Sequence, residues 1–134
     1  MNQIILHFSS QNDKNQFFKN TFLNSRFQLS QEISLTDGDW YCAIVEFNST
    51  CTISNDIYLC CDFIDQSFVN GQPIRVLKAL KGTPRGRIYY PIETPIRLSV
   101  AALRNINIYM AGDYDKESYL NKSWSLTLRI FQQL

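Results

Sequence analysis

The chain has 134 residues, 45% of them hydrophobic and 13% aromatic, and a formal net charge of +1. That length suits one domain able to bury roughly two thirds of its unfolded surface, and the composition excludes a disordered tail. The small net charge argues against a protein whose main work is electrostatic binding of nucleic acid, and no apolar run reaches the ~18 residues of a membrane-spanning helix.

The first residues, Met1 to His7, lack a basic region, a long apolar core and a cleavage site, so secretion by signal peptide is not expected. Ile4 to Phe8 reads as a short opening strand. Gln11 to Ser25 is polar and Asn-rich yet carries Phe17, Phe18 and Phe22, which predicts a long, ordered loop. Phe27, Leu29, Ile33 and Leu35 then alternate with Gln28, Ser30, Glu32 and Ser34, the period of a half-buried strand. Asp37-Gly38-Asp39 is a tight turn, because glycine takes positive φ without steric cost. It breaks into a run with Trp40, Cys42 and Ile44 on one face and Tyr41, Ala43, Val45 and Phe47 on the other. A strand apolar on both faces predicts a central position in a packed β structure.

Asp56 to Ile64 is the next strand, and Asn70-Gly71 is the strongest hairpin signal in the chain. Ile74 to Leu80 is a strand, Lys81 to Gly86 a loop, and Arg87 to Ile92 another strand. Pro91 and Pro95 put that region at an edge, since proline cannot donate to a ladder. Leu98 to Asn105 is the one helix candidate, a turn or two at most. Asn105 to Met110 alternates again, Ala111 to Lys122 is a polar loop, and the last strand, Ser123 to Phe131, turns Trp124, Leu126, Leu128 and Ile130 inward. About eight short strands with turns at regular spacing predict an all-β fold, an antiparallel two-sheet sandwich. No linker or repeat divides residues 1–134, which reads as a single domain. Its expected core includes Trp40, Ile44, Leu59, Phe63, Leu126 and Leu128.

Convergent polar groups of the kind catalysis needs are not evident, so no enzymatic activity and no cofactor are expected. Asp37, Asp39, Asp62, Asp65, Asp113 and Asp115 fall mostly in turns, where solvated side chains are the ordinary outcome. Cys42, Cys51, Cys60 and Cys61 form no Cys-x-x-Cys pair, and His7 is the only histidine, so a zinc site is not expected. The cysteines read as small buried hydrophobes kept as thiols in a reducing intracellular compartment. A cupin-like metal enzyme fails on the same shortage of histidines. Lys78, Lys81, Arg85 and Arg87 make the one basic cluster, either a contact for an acidic partner or packaged DNA, or a solvated hairpin tip. Phe17, Phe18 and Phe22 either plug a neighbouring subunit or fold back onto their own sandwich end.

Three stretches, in this order, resemble the small single jelly-roll minor capsid (penton) protein of polinton-type elements and adintoviruses. The first combines Ser9-Ser10, Phe17-Phe18-Lys19-Asn20-Thr21, the alternation from Phe27 to Leu35, Gly38-Asp39-Trp40 and Ala43 to Glu46. The second is Ile57 to Ile64, with Cys61-Asp62, followed by Gly71 and Ile74-Arg75-Val76-Leu77. The third is Tyr89-Tyr90-Pro91-Ile92, Asn105 to Ile108 and Leu126 to Arg129, where Asn-Ile-Asn-Ile stands in place of the family's acidic strand. The resemblance implies a single jelly roll and a structural capsid protein of a double-stranded DNA virus or virus-like transposon. It implies a homopentamer at the icosahedral five-fold vertices, in contact with the neighbouring major capsid protein and located in the virion. The end loops then supply the candidate subunit interface: Phe17, Phe18, Phe22, Arg85, Arg87, Tyr114 and Tyr119. The alternative is a soluble jelly-roll module that binds carbohydrate or a receptor. It would need a groove with exposed aromatics and Asn or Asp, whereas Trp40 and Trp124 lie on apolar faces.

Overall fold

The computed structural model describes residues 3–11, 19–91 and 94–133. The strands are β1 (Gln3–Ser9), β2 (Asn24–Ser34), β3 (Asp39–Ser49), β4 (Asp56–Cys61), β5 (Ser67–Val69), β6 (Gln72–Ile74), β7 (Val76–Ala79), β8 (Gly86–Tyr89), β9 (Ile96–Arg97), β10 (Ala102–Asp113) and β11 (Trp124–Gln133). One sheet runs β1-β11-β3-β8, with β9 also on β3, and the other runs β2-β10-β4-β7; all pairings are antiparallel. Followed along the chain, the strands pass from one sheet to the other as a single jelly roll does: β1 and β11 side by side, β2 and β10 side by side, β3 and β4 central. The hairpin β5–β6 stands outside both sheets.

The alternation in the sequence becomes the core directly. Leu6 and Phe8 of β1, Leu59 and Cys61 of β4, Ile106, Ile108 and Met110 of β10, and Trp124, Leu126, Leu128 and Ile130 of β11 are all buried between the sheets. Of the expected core residues, Trp40, Leu59, Phe63, Leu126 and Leu128 are buried, and Ile44 is partly buried against them. Phe47 departs from its expected face. β3 carries an irregularity where Glu46 faces Thr127 but Ile44 faces Leu128, so Val45 has no register partner on β11. The extra residue reverses the alternation. Trp40, Cys42 and Ile44 therefore share the inner face with Phe47, which stacks on Trp124.

The helix expected over Leu98 to Asn105 does not form. Leu98 bridges Ile64 and donates its N–H to Trp40 O at 2.8 Å, and Ala102 onward pairs with β2. Strand pairing and the burial of Leu103 and Ile106 override the helix propensity of Ala-Ala-Leu-Arg. The expected strand from Ile74 to Leu80 is two strands, because the chain changes partner at Arg75: β6 pairs with β5 and β7 with β4, while the Arg75 guanidinium bonds Ile64 O and Ser99 Oγ. The polar stretch after Ala111 is shorter than expected. β10 continues to Asp113, and Lys116–Tyr119 forms a 3-10 turn capped by the Asp115 carboxylate on Glu117 N–H. Pro91 and Pro95 do flank edge strands, β8 and β9.

Replacing Trp124 with Ala should lower stability by about 3–5 kcal/mol, through the cavity left by a fully buried indole. A chemical-denaturation midpoint equal to that of the parent would remove it from the core. Gly112 sits at φ +126°, and an added Cβ would fall 2.0 Å from Asp56 O of the paired strand. Gly112→Ala should therefore destabilise far more than Gly82→Ala, whose Cβ would enter open space.

Candidate functional site

The loops at one end of the sandwich are drawn together by aromatic residues. Phe22, before β2, stacks on Tyr119, before β11, with ring centroids 4.9 Å apart. The Tyr119 hydroxyl donates to Asn55 Oδ1 at 2.8 Å, in the loop between β3 and β4. Trp124 Nε1–H donates to the Phe22 carbonyl at 2.9 Å, and the bridge between Ile53 and Thr83 joins the next loop. Two of the candidate interface residues are thus buried inside the subunit: Phe22 is 1% exposed and Tyr119 5%. Of the two outcomes open for Phe22, folding back onto its own sandwich end is the one seen, and Tyr119 packs there with it. Tyr114 is half-buried, meets Tyr119 edge-on, and donates its hydroxyl to Met110 O at 3.2 Å. Phe17 and Phe18 lie outside the described residues.

The polar residues that carried the resemblance hold these turns. Asn20 Oδ1 accepts the Arg26 N–H at 2.8 Å, and Thr21 Oγ1 accepts the Asn24 N–H at 3.2 Å. Ser10 Oγ accepts the Trp124 N–H at 2.8 Å. Short side chains that satisfy nearby backbone donors fix where strands begin.

The basic cluster disperses. Lys81 pairs with Asp56 at 3.5 Å, Arg87 with Glu46 at 2.8 Å, and Lys78 lies over the Tyr90 ring. Arg85 remains exposed at the loop tip, with its backbone N–H on Thr52 Oγ1. Four basic residues in sequence therefore leave one unpaired cation among the described residues at that tip, and no concentrated positive patch.

The cysteine thiols are free, and Cys42, Cys60 and Cys61 are completely buried. Burial pushes the Cys42 and Cys60 thiols up to about 12 and Cys61 well above its ordinary value. Among the described residues, no three His, Cys, Asp or Glu side chains are grouped so as to hold a metal. None of the described helical residues forms a helix long and apolar enough to cross a membrane.

Two surface features escaped the sequence reading. Phe68, on the β5–β6 hairpin, is 69% exposed opposite Pro73; the Asn70-Gly71 turn marked this hairpin but not the direction of its phenylalanine. The second is a shallow groove on the outer face of the sheet containing β10. Asn107 and Tyr109 lie two residues apart on β10, and Asn24 of β2 is the cross-strand partner of Tyr109. Tyr114 and Lys116 also line it, and an adjoining depression that shares Asn107 is lined by Arg26, Asn105 and Asp62. Asp62 accepts the Asn107 N–H at 3.1 Å, and loss of solvent raises its carboxyl above the ordinary value. Nothing in the sequence marks this set, because cross-strand register brings it together.

No family model and no curated protein matches the chain. Among solved structures, a chain from the structure of infectious bursal disease virus, Gx strain, aligns over 98% of this chain and 32% of its own length, at 12% identity and a TM-score of 0.29. This chain thus spans about a third of the length of the one it matches, and a similarity at that score carries no argument about fold or function.

The buried thiols set an alkaline limit. A thiol whose folded pKa is raised stays protonated in the native state while the unfolded chain ionises near ~8.5. Above that pH the unfolded state binds fewer protons, so stability falls as pH rises. The thiol contribution should be intact below about pH 8.5 and decline progressively toward about 12. Urea midpoints across that range should fall, and the double variant Cys42→Ala, Cys61→Ala should show a shallower decline. An equal decline in both proteins would contradict this account.

Proposed function

We propose that the protein is a structural, non-catalytic subunit of a viral or virus-like capsid, and that it forms the homopentameric penton at the five-fold vertices beside a major capsid protein. The observation that carries this reading is the jelly-roll wiring of the two facing sheets, β1-β11-β3-β8 with β9 on β3, and β2-β10-β4-β7. It is read together with the ordered resemblance from Ser9 to Arg129. Fold alone does not carry function; the order of motifs along the same fold adds the capsid reading.

The mechanism is passive. A ring of identical copies needs a heterologous contact, in which one flank of the sandwich complements the other. β1 and β2 are the edge strands of one flank, and β7, β8 and β9 form the opposite one. Exposed residues must supply the contact: among the described residues Arg85, Arg87 and Phe68 are exposed, while Phe22 and Tyr119 are buried within the subunit.

Native mass spectrometry of the purified protein, alone and with the major capsid protein, should find a closed ring of five copies. Arg85→Glu should lower the ring population without changing the melting temperature. Reversal at Arg87 is a poorer probe, because Arg87 is bound to Glu46 within the subunit. A ring insensitive to Arg85→Glu would take that loop out of the contact. A particle reconstruction placing the chain off the five-fold axes would overturn the penton assignment.

A further inference from the structure

We propose that the groove over β2 and β10 is a glycan-binding site, which takes a neutral pyranose between Tyr109 and the amides of Asn24 and Asn107.

Three observations support it. The side-chain oxygens Asn24 Oδ1 and Asn107 Oδ1 are both buried and have no hydrogen-bond partner among the described residues. Buried acceptors without a donor cost free energy, and two such groups beside one tyrosine are unusual in a folded sheet. Each amide turns about a soft terminal torsion and so can present its oxygen to a donor entering the groove.

Tyr109 is the second observation. It sits directly opposite Asn24 and two residues from Asn107, half-buried, so all three share the outer face of the sheet and line the same groove. A pyranose has an apolar C–H face that packs on an aromatic ring and a rim of hydroxyls that donate hydrogen bonds. A flat ring beside orphaned acceptors matches that pairing. The third observation is extent. Tyr114 and Lys116 line the same groove as Tyr109, and an adjoining depression that shares Asn107 is lined by Arg26 and Asp62, so further polar groups lie within reach of a bound sugar. This combination of an apolar platform with a few placed polar groups is how small-molecule sites gain specificity. The groove lies on the outer face of one sheet, over the edge strand β2 and its neighbour β10, and its argument uses none of the observations behind the capsid reading.

The test is a 1H–15N titration of the wild-type chain with a panel of free monosaccharides and their disaccharides. At least one should saturably shift the backbone and side-chain amides of Asn24 and Asn107 and the backbone of Tyr109. Tyr109→Ala and Asn24→Ala should weaken that binding at least about tenfold. Asn24→Asp, which retains an acceptor oxygen, should stay within a few-fold of wild type, and Arg85→Ala should bind unchanged. Native-like spectra qualify each variant. If an alanine variant fails to fold, the location of the wild-type shifts decides. The proposal is overturned if no sugar shifts these resonances at millimolar concentration, if the shifts fall elsewhere, or if folded Tyr109→Ala binds as wild type. Occupation of the groove by a peptide in preference to every sugar would also overturn it.

Discussion

The structure depends on where β11 lies. This strand pairs with β1 on one side and β3 on the other, and so joins the two ends of the chain in the middle of a sheet. Its first residue, Trp124, binds the loop ends to that sheet. The backbone N–H of Trp124 goes to Ser10 Oγ and its indole N–H to the Phe22 carbonyl, while the ring lies against Phe27 and Phe47. Because its donors are satisfied in the interior, the indole is buried without an unpaired polar group. The loops on either side of β2 and β11 then have a fixed end on which to pack Phe22, Tyr119 and Asn55.

That arrangement gives a local role to the residues that carry the resemblance. Ser10, Asn20 and Thr21 act within the subunit, satisfying backbone donors. They are determinants of folding, so they account for a resemblance in fold before any resemblance in partners. The charged residues behave in the same way. Lys81, Arg87 and Arg97 each face a carboxylate of a neighbouring segment, at exposed sites where such pairs contribute little stability. Surface chemistry available to a partner is left to isolated exposed groups such as Arg85 and Phe68, and to faces assembled by strand register.

Legibility in the sequence followed the range of the interactions. The turns at Asp37-Gly38 and Asn70-Gly71 are local, and both adopt the left-handed conformations their residues favour. Alternation is local too, and it located β2, β10 and β11 and most of the core. Phe47 was placed on the wrong face because the irregularity at Val45 arises from pairing with Thr127 and Leu128, far along the chain. The segment after Leu98 favoured a helix locally, but Ile64, Trp40 and β2 supply strand partners for it. For Phe22 the local sequence is compatible with a neighbour's pocket or its own core, and the distant Tyr119 and Trp124 decide for the core.

The amino-acid sequence by itself determined that this is a β protein, with two sheets facing across Trp, Leu, Ile and Phe side chains. Period-two patterning and turn chemistry depend only on neighbouring residues, and burial of apolar area drives the rest. Only the tertiary structure decided which surface is chemically distinctive. Asn24, Asn107 and Tyr109 meet through the pairing of β2 with β10, and the dispersal of the basic residues follows from Asp56 and Glu46 lying beside Lys81 and Arg87. Register and loop closure join positions tens of residues apart, and no pattern confined to one segment records which of them will face each other.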